Sequence, residues 1–488
     1  MSAIRHKIKK GLQWTVGSQL INQVMVLFFN LILLRWITPV EFGLFAFPYM
    51  VFVFFRSFHD LGFSEVFIVQ KDWDKKLYSS LFWLIMGLAF VSSAIMILTA
   101  EPMEMWSGKS GNAEVQMILG IGIVIGAAHA GFDLIFRKQL LFENLFWIEF
   151  WSNLVSGLIS VCLAWAGYGI YALIGKTLIY VLMLTVLSWI RCKEKPDFVF
   201  SLSHIRQNLS FASANLGDQL IQFFFKNADT FLLARYAPAV NLGMYDRAFR
   251  LLVFPVQQVG ASLSKVILPV FVSADLDDRQ LAGAYLKLLL TATTLSMPLL
   301  TLVPLVAEDA IIVFFRPEWQ GLAPLFSIMT LMALAQGSFS LANPIFYVKR
   351  KVSHLFWFSL VSRSVSIAML IWAIQQKCSI EIIAFYFSAT AFAFVLPFQW
   401  MIMRLLKINS IALLKPLLRI LFACLAMTAA VMVLRFFSES WYVVVRLITN
   451  TIMALGIALM ILHRQIRELA LDFKAPNSGS NSSHTWQR

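Results

Sequence analysis

Residues 17–54 read GSQLINQVMVLFFNLILLRWITPVEFGLFAFPYMVFVF, and residues 217–254 read GDQLIQFFFKNADTFLLARYAPAVNLGMYDRAFRLLVF. At an offset of 200 the two segments share ten identical residues, where composition alone would give roughly three, so they indicate a duplicated unit. Each copy has an apolar run, an arginine, a short turn with a proline, a glycine and a second apolar run. This pattern predicts a repeated helical hairpin in a membrane, and membrane transporters are commonly built from such repeats. The first copy contributes Gly17, Gln19, Leu20, Ile21, Leu33, Arg35, Val40, Gly43, Val53 and Phe54 to the identical pairs.

The composition of the chain indicates the same class of protein. Hydrophobic residues make up 59% of the 488 residues, charged residues make up 14%, and the mean hydropathy is +0.75, which excludes a soluble globular protein. Apolar stretches of about 20 residues recur along the chain, and each can cross a hydrocarbon core about 30 Å thick. We therefore predict an all-α polytopic membrane protein with about fourteen transmembrane helices. The predicted spans are 12–37, 42–68, 79–100, 115–136, 145–167, 169–190, 209–234, 241–272, 284–306, 322–347, 355–375, 380–403, 417–437 and 441–462.

The basic residues in the loops predict the orientation of the chain. Arg5, Lys7, Lys9 and Lys10 precede the first span, so the N-terminus is expected in the cytoplasm. If the spans alternate in direction, this same side collects nearly all other basic loop residues, and both termini are cytoplasmic. The net charge of +14 is then explained by membrane topology, and nucleic acid is not an expected partner. The opposite side holds only Arg35, Lys109, Arg235, Arg316, Lys377 and Arg435.

The repeat also predicts the domain organisation. An even number of spans separates the two copies, so the halves of the chain should be parallel repeats related by an axis along the membrane normal. We predict an N-lobe of six spans at 1–190, a cytoplasmic linker at 191–208 and a six-span C-lobe at 209–403. An amphipathic link with two further spans follows at 404–462, and a cytoplasmic tail at 463–488. The four cysteines lack the spacing of metal ligands, so no metal site is predicted.

Several short motifs resemble one family of membrane transporters. They are similar to the oligosaccharide flippases of the multidrug/oligosaccharidyl-lipid/polysaccharide exporter superfamily, and most similar to the lipopolysaccharide and colanic-acid exporters of bacteria. This resemblance implies a protein of the bacterial inner membrane that moves a polyprenyl-diphosphate-linked oligosaccharide outward by alternating access between two six-helix lobes. It also implies that membrane lipids, a polysaccharide polymerase and glycosyltransferases are partners. The residues that carry the resemblance are Trp14, Leu33, Arg35, Pro39, Phe42 and Gly43, then Asp60, Gly62, Ile68 and Gln70, then Asp229, Leu233, Gly243, Tyr245, Ala248 and Leu251.

Six basic side chains fall well inside the predicted spans. Such charges are costly in hydrocarbon and normally face the interior of a helix bundle or a wet cavity. A diphosphate needs donors of this kind, because a guanidinium binds two oxygens at once and a lysine adds a point charge. The alternative is that each cation pairs with an internal carboxylate and only holds helices together, for which Arg56 and Lys226 have acids nearby. The six candidate substrate-binding cations are Arg250, Arg363, Lys176, Arg56, Lys226 and Arg247.

Three acids in the spans are candidates for ion coupling. Asp60, Asp218 and Asp229 could each carry a proton or Na⁺, although neutralisation of a neighbouring Arg or Lys is the slightly favoured explanation. Asp60 follows Arg56 by four residues, and Asp229 follows Lys226 by three. We predict no catalytic residues and no cofactor other than the coupling ion.

Two other functions remain open on the sequence. The first is a multidrug or small-molecule exporter of the same superfamily, although an excess of intramembrane cations argues against cationic cargo. The second is a membrane polysaccharide polymerase, but the loops are short and contain no acid–base constellation. The flippase is therefore the preferred interpretation.

Overall fold

The computed structural model describes residues 21–57, 67, 74–201, 209–257, 278–408 and 411–474. All regular elements in these ranges are helices, and eleven of them are long and apolar enough to cross a membrane. The predicted all-α polytopic fold is therefore confirmed, and the predicted number of spans is compatible with it. The helices form two compact units, of which the first runs to Arg247 and the second starts at Ala248. The predicted domain boundaries stay predictions.

The first unit is built from long antiparallel neighbours with short connections. In it α6 packs against α7, and α5 packs against α2, α3 and α7. Its helices are α1 Ile21–Leu33, α2 Pro39–Ser57, α3 Lys75–Leu98, α4 Ala100–Ser107, α5 Asn112–Lys138, α6 Phe142–Trp165, α7 Ile170–Arg191, α8 Leu209–Tyr236 and the start of α9 Ala239–Ala248.

The second unit is organised around a long helix, α10, which contacts α11, α15 and α16. It opens with a π-helical turn, Phe249–Val253, that continues α9 and packs against α11. A single 3₁₀ turn, Pro317–Trp319, precedes α11. The helices of this unit are α10 Asp278–Phe314, α11 Leu322–Val348, α12 Val352–Gln375, α13 Ile380–Ala393, α14 Val395–Leu406, α15 Ile411–Phe437 and α16 Val443–Lys474.

One predicted span is two helices in the structure. The apolar run at 380–403 divides into α13 and α14, which meet at Phe394. Pro397 lies in the first turn of α14. Proline has no N–H to donate to the carbonyl four residues earlier, and its ring crowds that carbonyl, so the helix is interrupted at Phe394, although α13 and α14 together still form one candidate span, Ile380–Leu406. Proline in a first helical turn is tolerated, so α14 restarts there.

Small residues set the close helix crossings of the first unit. A Cβ on Gly157 of α6 would lie 2.3 Å from the ring of Phe29 on α1, so the ring occupies the space above the glycine. The Ser160 hydroxyl of the same helix donates to the Ala172 carbonyl of α7 at 2.8 Å. Small side chains that let backbones approach, with hydroxyls that bond across helices, are typical of packing in membranes.

The repeated hairpins fold into the same backbone turn. In the first copy, Thr38 and Glu41 form a capping box around Pro39, with the Thr38 N–H donating to the Glu41 carboxylate at 2.7 Å. The Phe42 N–H donates to the Thr38 carbonyl at 3.2 Å, and at the equivalent place the Leu242 N–H donates to the Pro238 carbonyl at 3.0 Å. The duplication predicted from the sequence is therefore visible in the hydrogen bonds of both turns.

The two hairpins touch at their equivalent glycines, in a contact that we call the glycine crossing. A Cβ placed on Gly43 would lie 1.8 Å from the Ala239 carbonyl oxygen, and one placed on Gly243 would lie 1.9 Å from the Pro39 carbonyl oxygen. Both distances are far inside van der Waals contact, so only glycine fits at either position. The first turns of α2 and α9 therefore cross backbone to backbone.

Candidate functional site

Two of the predicted cations have neutral partners in the first unit. The guanidinium of Arg56, on α2, lies over the ring of Tyr180 on α7, 5.9 Å from its centroid. The ammonium of Lys176, one turn earlier on α7, donates to the Asn30 side-chain oxygen of α1 at 3.2 Å. Both cations are half-buried.

A half-buried acid that the sequence analysis did not single out interacts electrostatically with Arg56. The Glu149 carboxylate, on α6, accepts a hydrogen bond from the Asn22 amide of α1 at 2.9 Å. The charges that act on it are Asp133, Arg137 and Arg56. In the sequence, Glu149 is an acid a few residues inside a predicted span. Its hydrogen-bond partner Asn22 is 127 positions away, so the sequence does not predict their contact. We call Asn22, Arg56, Glu149 and Tyr180 the first-unit polar cluster.

Asp229 is held by an aromatic hydroxyl. It is 4% exposed, and its carboxylate accepts a hydrogen bond from the Tyr245 hydroxyl of α9 at 2.8 Å. This bond links the two helices of the second hairpin. The contact satisfies the buried carboxylate with a neutral donor rather than with a cation.

Arg247 has an acid as its neighbour. Its Nε donates to the Asp246 carboxylate at 3.0 Å, and its guanidinium lies 4.3 Å from the centroid of the Phe42 ring on α2. The side chain is only 4% exposed. This geometry fits the bracing alternative, in which the cation joins two hairpins, better than contact with a cargo.

The remaining predicted cations lie on three separate elements. Lys226 is an exposed residue on α8, and Arg363 is half-buried on α12. Arg250 is half-buried within the π turn Phe249–Val253. Such turns are rare and occur frequently at functional sites, because the extra residue redirects side chains. The structure thus brings Arg56 and Lys176 to neighbouring turns, whereas each of the other cations occupies an element of its own.

Two predicted coupling acids are not placed by the structure. Asp60 lies outside the described residues, and Asp218 belongs to α8 without a described side chain. In the parts of the chain that the structure describes, no three His, Cys, Asp or Glu side chains are grouped as metal ligands.

The second unit contains an ionic network at one end of α10. The Asp309 carboxylate is fully buried and accepts two bonds from the Arg446 guanidinium of α16, the longer at 3.0 Å. The neighbouring Glu308 accepts a bond from Arg435 of α15 at 3.1 Å. These pairs fasten α15 and α16 to α10, which is a bracing role.

The chain matches a known protein family and several named relatives. Residues 32–324, more than half of the chain, match the family described as "Polysaccharide biosynthesis protein". The teichuronic acid biosynthesis protein TuaB of Bacillus subtilis is 22% identical over 84% of this chain and 85% of its own length. The succinoglycan biosynthesis transport protein ExoT of Rhizobium meliloti is 23% identical over 68% and 67% of the two chains. The lipopolysaccharide biosynthesis protein WzxC of Escherichia coli is 22% identical over 70% of each chain.

Solved transporters share the fold. The structure superposes on the lipid II flippase MurJ, in its inward closed conformation, with a TM-score of 0.74 and 14% identity over 93% of this chain and 99% of that one. An inward-facing multidrug transporter of the MATE family superposes with a TM-score of 0.61 and 14% identity over 81% and 99% of the two chains. The family model and the named relatives confirm the resemblance predicted from the sequence. The chain is a multi-pass membrane protein of the polysaccharide biosynthesis protein family.

Proposed function

We propose that this protein is a flippase that carries a polyprenyl-diphosphate-linked oligosaccharide across the bacterial inner membrane for the synthesis of a surface polysaccharide. The cargo is handed from cytoplasmic glycosyltransferases to a polymerase on the outer side, and the flippase itself catalyses no covalent step. Both termini are cytoplasmic, as the loop charges predict. Transport proceeds by alternating access, with H⁺ or Na⁺ as the coupling ion.

The observation that carries the proposal is the guanidinium of Arg250 in a π turn, inside the span predicted at 241–272. A charged group at mid-span costs about 2.5–3.5 kcal/mol, and π turns occur frequently at functional sites. A diphosphate suits such a side chain, since guanidinium groups bind phosphate oxygens in pairs. The family of the chain and the names of its relatives support the same cargo class.

Arginine substitutions in the spans test the proposal. In a strain that depends on this protein for its surface polysaccharide, Arg250→Ala and Arg363→Ala should each abolish export while membrane levels of the protein stay normal. Lysine at the same positions should rescue only part of the export, because it keeps the charge and loses the paired donor geometry. Export is measured as the amount of polysaccharide on the cell surface, detected by immunoblotting.

Arg464→Ala is the matched control, because Arg464 is an exposed arginine at one end of α16. This variant should export normally. Normal export by both alanine variants in the spans would refute a cationic cargo site. Export of a small cationic drug that depends on these arginines would favour the multidrug alternative.

A further inference from the structure

Three turns of the first unit meet around a pocket of about 540 Å³. It is lined by Val40 and Leu44 at the start of α2, by residues 107–110 between α4 and α5, and by residues 235–239 between α8 and α9. We call it the three-turn pocket. All three turns lie on the side that the loop charges predict to face outward. The glycine crossing lies beside the three-turn pocket, because Ala239 takes part in both.

Two cations of the three-turn pocket reach across it in opposite directions. Lys109, from the turn after α4, donates its Nζ to the Ala234 carbonyl near the end of α8. Arg235, from the end of α8, donates its Nη1 to the Trp106 carbonyl of α4 at 2.6 Å. Each cation thus satisfies the exposed carbonyls of the other's helix, where a positive charge is favourable. A guanidinium has five N–H donors and an ammonium three, so both have donors to spare.

The charge of these two side chains has no counterpart in the pocket. Among the described residues, no carboxylate lies within 4.0 Å of either cation. Lys109 is 8% exposed, and its burial together with the charge of Arg235 lowers the pKa of its ammonium to about 8. Two like charges held together in a partly dry pocket repel each other, and an anion between them would remove that repulsion.

The acids nearest in sequence are committed to other donors. The Glu104 carboxylate accepts from the Gly111 and Ala113 N–H groups at 3.0 and 2.7 Å and so caps α5. Glu41 is bonded to Thr38 within its capping box. Glu114 accepts from the Tyr171 hydroxyl at 2.6 Å. None of these three carboxylates therefore neutralises Lys109 or Arg235.

Two other cations on the predicted outward side differ from Lys109 and Arg235, because each has a carboxylate partner. Arg316 pairs with Glu318 at 3.4 Å, and Arg435 pairs with Glu308 at 3.1 Å. The outward side is expected to carry few basic residues, so two unneutralised ones in a single pocket are unusual.

We propose that the three-turn pocket binds the phosphate group of a lipid at the outer membrane surface, with Lys109 and Arg235 as its ligands. The Ser110 hydroxyl and the Tyr236 side chain line the same space and suit the polar group esterified to the phosphate. The lipid is either an anionic phospholipid of the outer leaflet or a polyprenyl diphosphate on its way out. Binding of the phosphate group requires only the three-turn pocket, so it is expected whether or not the protein transports an oligosaccharide.

Inorganic pyrophosphate is the first probe. The full-length protein in detergent, with Arg250→Ala and Arg363→Ala introduced to remove the proposed cargo site, should bind pyrophosphate saturably by calorimetry. In this background Lys109→Gln and Arg235→Gln should each raise the Kd by at least about tenfold, and Lys109→Arg should retain binding. Lys76→Gln, at an exposed cation on the opposite side of the membrane, should leave the Kd unchanged.

The source of the phosphate is decided in nanodiscs. A rise in Tm when phosphatidylglycerol replaces phosphatidylcholine, lost in Arg235→Gln, identifies the phospholipid. A rise only with polyprenyl diphosphate identifies the cargo. Equal pyrophosphate affinity in Arg235→Gln and its parent, or no saturable binding in the parent, overturns the proposal. Because the Arg235 side chain is exposed, this variant should fold even if Lys109→Gln does not. Normal export by Arg250→Ala and Arg363→Ala, with pyrophosphate binding that still depends on Lys109 and Arg235, contradicts the proposed function alone.

Discussion

At the scale of single residues, Arg56 shows how a cation is kept inside a membrane span by a neutral neighbour. Its guanidinium lies over the Tyr180 ring at 5.9 Å, a contact worth about 0.5–2 kcal/mol. A charge at mid-span costs about 2.5–3.5 kcal/mol. The ring offsets only part of that cost, and the charge of Glu149, on α6, also acts on Arg56.

Asp229 and Tyr245 should respond differently to conservative substitution. Asp229→Asn keeps an oxygen that can accept from the Tyr245 hydroxyl, so the fold should be preserved while turnover slows more than cargo binding weakens. Tyr245→Phe removes the donor at 2.8 Å and leaves a buried carboxylate, which should cost about 1–3 kcal/mol of stability. Both are measured in reconstituted vesicles with imposed ion gradients and by thermal unfolding. Equal turnover of Asp229→Asn and wild type under every gradient would make Asp229 a structural brace.

Lys109 should give the protein a pH-dependent stability in alkaline buffer. Its folded pKa is lowered to about 8 by burial and by Arg235, below the ordinary value of about 10.4 in an unfolded chain. Between these values the unfolded state binds more protons, so stability contributed at this position rises with pH. The Tm of wild type minus that of Lys109→Met should therefore increase from pH 7 to pH 9.5 in phosphate-free buffer. A difference that falls or stays constant would contradict the lowered pKa.

The residue types of the site could be predicted, but their partners could not. Charged side chains in apolar spans can be recognised from the sequence alone, so Arg56, Lys176 and Asp229 are predictable as candidates. Asn22 and Glu149, or Arg56 and Tyr180, meet only because α1, α2, α6 and α7 pack together. Glu149 was missed because an acid near the predicted start of a span is indistinguishable from a loop residue.

At the scale of helices, α8 combines a membrane helix with a polar side. It is 28 residues long, yet it is absent from the helices apolar enough to be recognised as spans because Asp218, Lys226, Asp229 and Arg235 interrupt it. Span positions are predictable because hydropathy is a local property. The π turn after α9 and the glycine crossing have no local signal, since both depend on helices far apart in sequence.

The glycine crossing should tolerate no side chain. Gly43→Ala and Gly243→Ala each place a methyl group against a carbonyl oxygen of the other hairpin. The helices must separate, at a cost of about 1–3 kcal/mol typical of overpacking, and both variants should unfold at a lower temperature and export less polysaccharide.

Gly87→Ala is the control for this pair, because Gly87 lies in α3 with nothing within 4 Å of an added Cβ. It should match wild type in Tm and export. A Gly43→Ala variant as stable and active as Gly87→Ala would show that the two hairpins can move apart without loss.

At the scale of the whole molecule, the hydropathy and the loop charges predict how the chain crosses the membrane. The all-α polytopic class followed from composition alone, and the repeat was evident from identities at a fixed offset. Pro397 indicates the break between α13 and α14 in the sequence. The hydropathy used to place spans does not depend on backbone N–H groups, so it does not predict this break.

Cysteine labelling should confirm the predicted orientation. In a variant without Cys162, Cys192, Cys378 and Cys424, an impermeant maleimide should label Ser110→Cys and Gln376→Cys in intact cells, because both turns are predicted outside. Gln139→Cys and Arg350→Cys should react only after the membrane is permeabilised. Labelling in the reverse pattern would invert the topology and place the three-turn pocket in the cytoplasm.

The glycine crossing also has a symmetry of its own. Gly43 meets Ala239 while Gly243 meets Pro39, so each copy of the hairpin presents the same surface to the other. Reciprocity of this kind characterises an isologous interface, the type that joins identical subunits about a two-fold axis. The crossing therefore has the form of a homodimer contact inside a single polypeptide, and a side chain added to either glycine meets the same steric barrier.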